Sequence, residues 1–317
     1  MSHSIAEQAA TPAAVPKYVF RRPVSPVSPL CKKRQSRWHR RPSEIRIAPV
    51  FCLRFHAAMS LRPTTFPTRF ARLSAMLRWL FATVRRIGRL DDASQEVRNA
   101  EFAAICRDAL DILNVRLDVR NRPSESPRGV LVVSNHVSLL DIFAITAVCP
   151  SGFVAMKELE RWPLVGRAAR NAGAVFIDRG SRKDVGLING AVIRSLESGQ
   201  NVCFFPEART SCGDGILPFK AALFQSALDA RVPVQPLALR YFDGLNRRTE
   251  QPSFSGVNLL VSMWRIVSMR EVRVRVDFLP PFAPEGDRFA LKDRVEAAVG
   301  AAVGGFADGG GLTEEGL

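Results

Sequence analysis

A histidine and an aspartate stand five residues apart in Ser134-Asn135-His136-Val137-Ser138-Leu139-Leu140-Asp141, after the apolar run Gly129 to Ser134 and before an apolar helical stretch. Five steps on an ideal helix turn about 140°, so the two side chains can meet only if His136 lies in the loop ahead of the helix. From there the imidazole can fold back onto a carboxylate in the first turn, where the helix dipole favours the negative charge of Asp141. An imidazole whose Nδ1 proton is held by a carboxylate presents Nε2 as a proton acceptor, which suits a general base acting on a hydroxyl. The carboxyl end of a strand is also where open α/β sheets place their sites.

No enzyme nucleophile accompanies this pair. G-x-S-x-G is absent, and Cys203 lies inside an apolar strand, where a small buried hydrophobe is the expected role. Direct transfer from donor to acceptor is therefore the expected scheme. The six cysteines form no C-x-x-C pair, and His3, His39, His56 and His136 are dispersed, so neither a zinc cluster nor any other metal or cofactor is expected. On its own H-x-x-x-x-D also fits a structural histidine, and the remaining motifs decide between the readings.

Those motifs follow in order: Phe153-Val154-Ala155-Met156-Lys157-Glu158-Leu159, Pro163 and Gly166, Gly173-Ala174-Val175-Phe176-Ile177-Asp178-Arg179, Phe205-Pro206-Glu207, and Val232-Pro233-Val234-Gln235-Pro236. With Asn135, His136 and Asp141 they resemble the lysophospholipid acyltransferases of the 1-acylglycerol-3-phosphate acyltransferase superfamily, whose first motif is N-H-x-x-x-x-D. The resemblance implies His136 as base and Asp141 as its partner. It further implies Lys157, Arg179 and Glu207 on the acceptor headgroup side, with Asn135 and Arg209 as further candidate substrate-binding residues. Cationic donors suit a phosphate or carboxylate headgroup. Each residue also has a structural reading: Lys157 and Arg179 as solvated charges, Asp178 with Arg179 as an ion pair, and Glu207 as a loop anchor accepting backbone N–H bonds.

The third motif departs from the family pattern F-P-E-G-T-R-S, because Ala208 stands for the glycine and Arg209 precedes Thr210. If the family's glycine has a positive φ, Ala208 is strained there, and Arg209 does not simply inherit a phosphate-binding role. Gly213-Asp214-Gly215-Ile216-Leu217-Pro218-Phe219-Lys220 is similar to the lyso-ornithine-lipid acyltransferase branch, whose zwitterionic acceptor needs less cationic clamping. The acceptor implied first is 1-acylglycerol-3-phosphate, with lyso-ornithine lipid as the alternative. The donor would be acyl-CoA or acyl carrier protein. Attack on its thioester generates an oxyanion, for which backbone N–H groups at the start of the helix after His136 are the candidate donors.

Apolar runs at 129–134, 152–156, 174–177, 201–205, 232–239 and 272–279 read as strands. Helical spacing falls between most of them, at 139–148, 162–172, 183–198, 218–230 and 257–269. This alternation predicts an α/β fold with a mixed, largely parallel sheet flanked by helices on both faces. Leu73, Met76, Leu77, Leu80, Val84 and Ile87 recur at helical spacing within a basic segment, with Trp79 and Phe81 alongside. The pattern predicts an amphipathic helix over 72–90 that lies on a membrane surface, packs on the domain, or does both with different faces.

Four regions are expected: a disordered basic tail at 1–58, with Met59 a plausible true start, a membrane-associating segment at 59–92, the catalytic domain at 93–303, and a flexible tail at 304–317. The net charge of +15 divides unevenly, with +9 in residues 1–58, +7 in 59–90 and −1 over the rest. A DNA-binding fold would carry its basic stripe on the folded domain, so an anionic inner-leaflet surface is the expected partner and nucleic acid is not. Without a secretory signal or an 18-residue uncharged apolar run, the expected location is peripheral, on the cytoplasmic face of the cytoplasmic membrane. Two rivals remain: a non-enzymatic protein binding nucleic acid or anionic lipid through the basic region, and an inactive acyltransferase relative, suggested by Ala208 and Arg209.

Overall fold

A computed structural model describes residues 63–162, 165–177 and 185–305. The tail at 1–58, Met59, Arg179 and residues 306–317 of the expected C-terminal tail lie outside the described residues. In chain order the elements are α1 (Phe66–Ile87), α2 (Gln95–Ile112), β1 (Val115–Arg120), β2 (Leu131–Ser134), α3 (Leu140–Val148), β3 (Gly152–Met156), α4 (Lys157–Glu160), α5 (Val165–Asn171) and β4 (Val175–Ile177). They continue with α6 (Val185–Glu197), β5 (Val202–Phe204), α7 (Phe224–Ala230), β6 (Val234–Asp243), α8 (Leu259–Ser268), β7 (Val272–Phe278) and α9 (Arg288–Gly305).

The strands form a seven-stranded sheet in the order β1-β7-β6-β2-β5-β3-β4. The β6–β7 pairing is antiparallel and every other neighbouring pair is parallel. Alternate residues of a strand face opposite sides, and β2 shows the consequence directly. Val132 packs with Cys203, Leu239 and Tyr241 under α2, α3 and α8, whereas Leu131 and Val133 pack with Val202, Phe204 and Ala238 under α6, α7 and α9. A strand buried on both sides has no polar positions to alternate, which is why LVVS reads as a continuous apolar run.

Helix α1 begins earlier than the spacing predicts, at Phe66, with Pro67 in its first turn, where a missing N–H costs nothing. One face docks: Trp79 donates its indole N–H to the Ile105 carbonyl, Arg86 pairs with Glu101 and Asp108 of α2, and Ile87 joins a cluster with Phe102 and Ile105. Arg72 donates to the carbonyls of Val267, Met269 and Arg270, satisfying the open carboxyl end of α8. β3 can begin where it does because Gly152 lacks a side chain, since a Cβ there would collide with the Gly173 carbonyl.

Candidate active site

The central strand β2 delivers its carboxyl end to a loop, Asn135 to Leu139, before α3 starts. Asp141 lies in the first turn of α3, fully buried, and His136 lies in the loop, as the five-residue spacing requires. His136 Nδ1 is 2.8 Å from Asp141 Oδ2. The same oxygen accepts the backbone N–H groups of Val137 at 2.7 Å and Ser138 at 2.9 Å. Asp141 thus clips the loop into a tight turn while gripping the imidazole. The Ser138 hydroxyl accepts the Leu140 N–H, one of the open donors at the helix start.

The segment after β5 splints His136 at both ends. Glu207 Oε1 accepts the His136 N–H at 2.7 Å, and the Ser211 N–H donates to the His136 carbonyl at 2.7 Å. Glu207 Oε2 accepts the Leu217 N–H, and the side chain is buried. Burial pushes the Glu207 carboxyl up to about 8, against the pull of those two N–H bonds. Phe205 stacks on the imidazole with ring centroids 4.0 Å apart and planes 11° apart, and Phe153 of β3 backs it. The His136 side chain keeps 20% exposure, and among the described residues Nε2 has no hydrogen-bond partner. The ring is held on one nitrogen and one face and is open at the other nitrogen.

Several expectations change here. Asn135 is fully buried and its amide is used at both ends, donating to the Leu239 carbonyl at 3.0 Å and accepting the Leu239 N–H at 2.8 Å. It ties the loop to β6. Glu207 likewise faces backbone, each carboxyl oxygen accepting one N–H, which fits the loop-anchor reading. The Val137 and Ser138 N–H groups, at the helix start, are both taken by Asp141 Oδ2. Ala208 adopts φ +57°, the left-handed conformation that the missing glycine would favour. Gly213, at φ +91°, closes against Val137, where a Cβ would come within 3.1 Å of its side chain.

Lys157 and Arg209 are exposed at the same carboxyl edge of the parallel strands, following β3 and β5, and neither touches the dyad. β4 points to this edge too, although Arg179 itself lies outside the described residues. Sequence reasoning missed Phe205 as a site residue although the motif contains it. It also missed two β6 residues. Tyr241 is buried and donates its hydroxyl to Asp141 Oδ1 at 2.5 Å. Arg240, also buried, donates to the carbonyls of Gly213 and Val303. Polar side chains in an otherwise apolar central strand were the available signal.

Fold and site together define an α/β protein with a histidine–carboxylate dyad at the carboxyl edge of a mixed sheet. Residues 116–240 match the family model described as Acyltransferase. A protein of Neisseria meningitidis named 1-acyl-sn-glycerol-3-phosphate acyltransferase is 48% identical over 252 residues, covering 79% of this chain and 99% of its own length. A lyso-ornithine lipid O-acyltransferase of Pseudomonas aeruginosa is 36% identical over 185 residues, covering 58% of this chain and 71% of its own. The crystal structure of the 1-acyl-sn-glycerophosphate acyltransferase of Thermotoga maritima shares the fold, with a TM-score of 0.59 at 22% identity, over 75% of this chain and 93% of that one. The chain belongs to the lysophospholipid acyltransferase superfamily and is an O-acyltransferase.

Proposed function

We propose that the chain moves a fatty acyl group from acyl-CoA or acyl carrier protein to the free hydroxyl of 1-acylglycerol-3-phosphate, giving phosphatidate, with His136 as general base. The observation that carries this is the 2.8 Å pairing of His136 Nδ1 with buried Asp141, which leaves Nε2 open at the sheet edge. Nε2 takes the acceptor's hydroxyl proton as the oxygen attacks the thioester carbonyl. The new C–O bond forms, the C–S bond breaks, and the imidazolium returns the proton to the departing thiolate. Asp141 steadies the imidazolium while it exists.

The acceptor assignment draws on the relatives at 48% identity, which carry that name. A lyso-ornithine acceptor is the second reading, favoured by Thr210 in the motif's arginine slot and by the relatives named for that activity. Delivery of either lysolipid is proposed at an anionic membrane surface, on the cytoplasmic face. Among the described residues no helix is long and apolar enough to cross a membrane. However, α1 exposes Phe66, Phe70, Leu77 and Phe81 on the face it does not dock, beside Leu260 and Trp264 of α8. Two contacts link these helices to the elements that carry the site: Phe254, just before α8, donates its N–H to the Val137 carbonyl, and Phe143 of α3 meets Trp79 on the docked face of α1 edge-on.

The test is transfer of labelled acyl groups from both donors to a panel of lysolipids, comparing wild type with His136→Ala. Abolished transfer with a preferred acceptor supports the reading and selects the headgroup. Undiminished transfer by the variant removes His136 as base.

A further inference from the structure

We propose that Tyr241 is a positioning residue that tunes His136 through Asp141, so that the working unit is a Tyr–Asp–His relay and not a dyad. The proposal rests on the reading of His136 as the base. The four hydrogen bonds to the Asp141 carboxylate divide three to one: Oδ2 receives His136, Val137 and Ser138, and Oδ1 receives the Tyr241 hydroxyl at 2.5 Å. Helix start, strand β6 and loop are thereby joined in one buried network.

Packing does not require that hydroxyl. Leu237 and Leu239, on the same face of β6, fill their positions as plain hydrocarbon, and a phenylalanine would occupy much the same space as the Tyr241 ring. A phenol oxygen buried without partners is costly, so its presence at 241 is tied to the carboxylate it meets. Burial and the neighbouring charge of Asp141 hold the phenol proton well beyond its ordinary range, so Tyr241 donates at every working pH.

A donor on Oδ1 draws charge from the carboxylate and weakens its hold on the imidazolium. Removing it should make His136 retain its proton to higher pH, and strengthening it should do the reverse. The other groups facing this pair are Glu207 on the His136 backbone, Arg209 beside Glu207, and the buried Cys203 thiol near Asp141. Substitution at 241 changes none of them, which isolates the phenol's contribution.

The full chain contains two tyrosines, Tyr18 and Tyr241, so Tyr18→Phe followed by 3-fluorotyrosine incorporation modifies position 241 alone. Acyl transfer would be followed as kcat/KM against pH for that protein, for Tyr241→Phe and for the unmodified Tyr18→Phe parent. Tyr241→Phe should lose roughly 10-fold in kcat/KM and move the acid limb up by about half a unit to one unit. The fluorinated phenol, a stronger donor with the fold intact, should move that limb down by a few tenths of a unit (on the order of the Brønsted effect of one substituent). Unmoved limbs in both proteins, with or without a rate loss, would make Tyr241 a packing residue and end the proposal. A parent profile with no acid limb would end it as well. Should Tyr241→Phe not fold, the fluorinated protein decides alone. Retained transfer by His136→Ala would instead break the underlying base assignment, a distinguishable failure.

Discussion

The loop around His136 and the face shared by α1 and α8 handle polarity in opposite ways. Around His136 nearly every polar group is buried and matched: Asn135 with Leu239, Glu207 with two backbone N–H groups, Asp141 with four donors. On the helical face large apolar side chains stand in the open, with Phe70 at 75% and Leu260 at 80% exposure. A matched buried network fixes geometry, because each lost partner leaves a group that nothing else can satisfy. An open apolar face fixes nothing internally, and its free energy is realised only against another apolar phase. One region is built to hold an imidazole still, the other to be covered.

Substitutions should separate the two. Asp141→Asn keeps the shape but offers an amide where the imidazole and two backbone N–H groups need an acceptor, so kcat should fall by about a thousandfold to ten-thousandfold. Steady-state kinetics on folded variant would check this, and a loss under tenfold would contradict it. On the other face, Phe70→Ser with Leu260→Ser should weaken partition into anionic vesicles by about a hundredfold to ten-thousandfold, from about 1.5–3 kcal/mol for each large apolar side chain. Its melting temperature should be nearly unchanged, and flotation equal to wild type would sink the membrane assignment.

Within the network, pH should act through Glu207. Its folded value of about 8 lies above the ordinary 4.5, so the folded chain binds the proton more tightly and that stabilisation is complete below about 4.5. Stability should fall as pH rises from there through about 8. Thermal unfolding across this range should show a steeper loss for wild type than for Glu207→Gln, and parallel curves would contradict the assignment. The smallest effect is expected at Ala208→Gly, which relieves the φ of +57° and should stabilise by about 1 kcal/mol.

Much of this was legible in the residues, unevenly. Strands β2 and β5 and helix α3 stood out because burial writes continuous apolar runs, and the half-buried β3 still reads as a short apolar run. The position of His136 ahead of α3 followed from helical rotation alone. Helix α2 was missed because Ala103, Cys106 and Ala109 make a shallow apolar stripe, and β1 because Arg116 and Asp118 pair across to Glu271 and Arg275 at the sheet edge. α9 buries Leu291, Val295, Val299 and Val303 at four-residue spacing, a readable stripe diluted by alanine and glycine. The roles of Asn135 and Tyr241 were hidden for a different reason. Their partners are up to 104 residues away, and a motif names a side chain without saying whether it faces substrate or backbone.

The measurement that bears most directly on the account is acyl transfer to the lysolipid panel by His136→Ala, with circular dichroism and melting temperature confirming the fold. Wild type should transfer to 1-acylglycerol-3-phosphate or lyso-ornithine lipid, and the variant should lose that transfer by about a thousandfold or more. Transfer by His136→Ala within tenfold of wild type would contradict the assignment of this imidazole as the base.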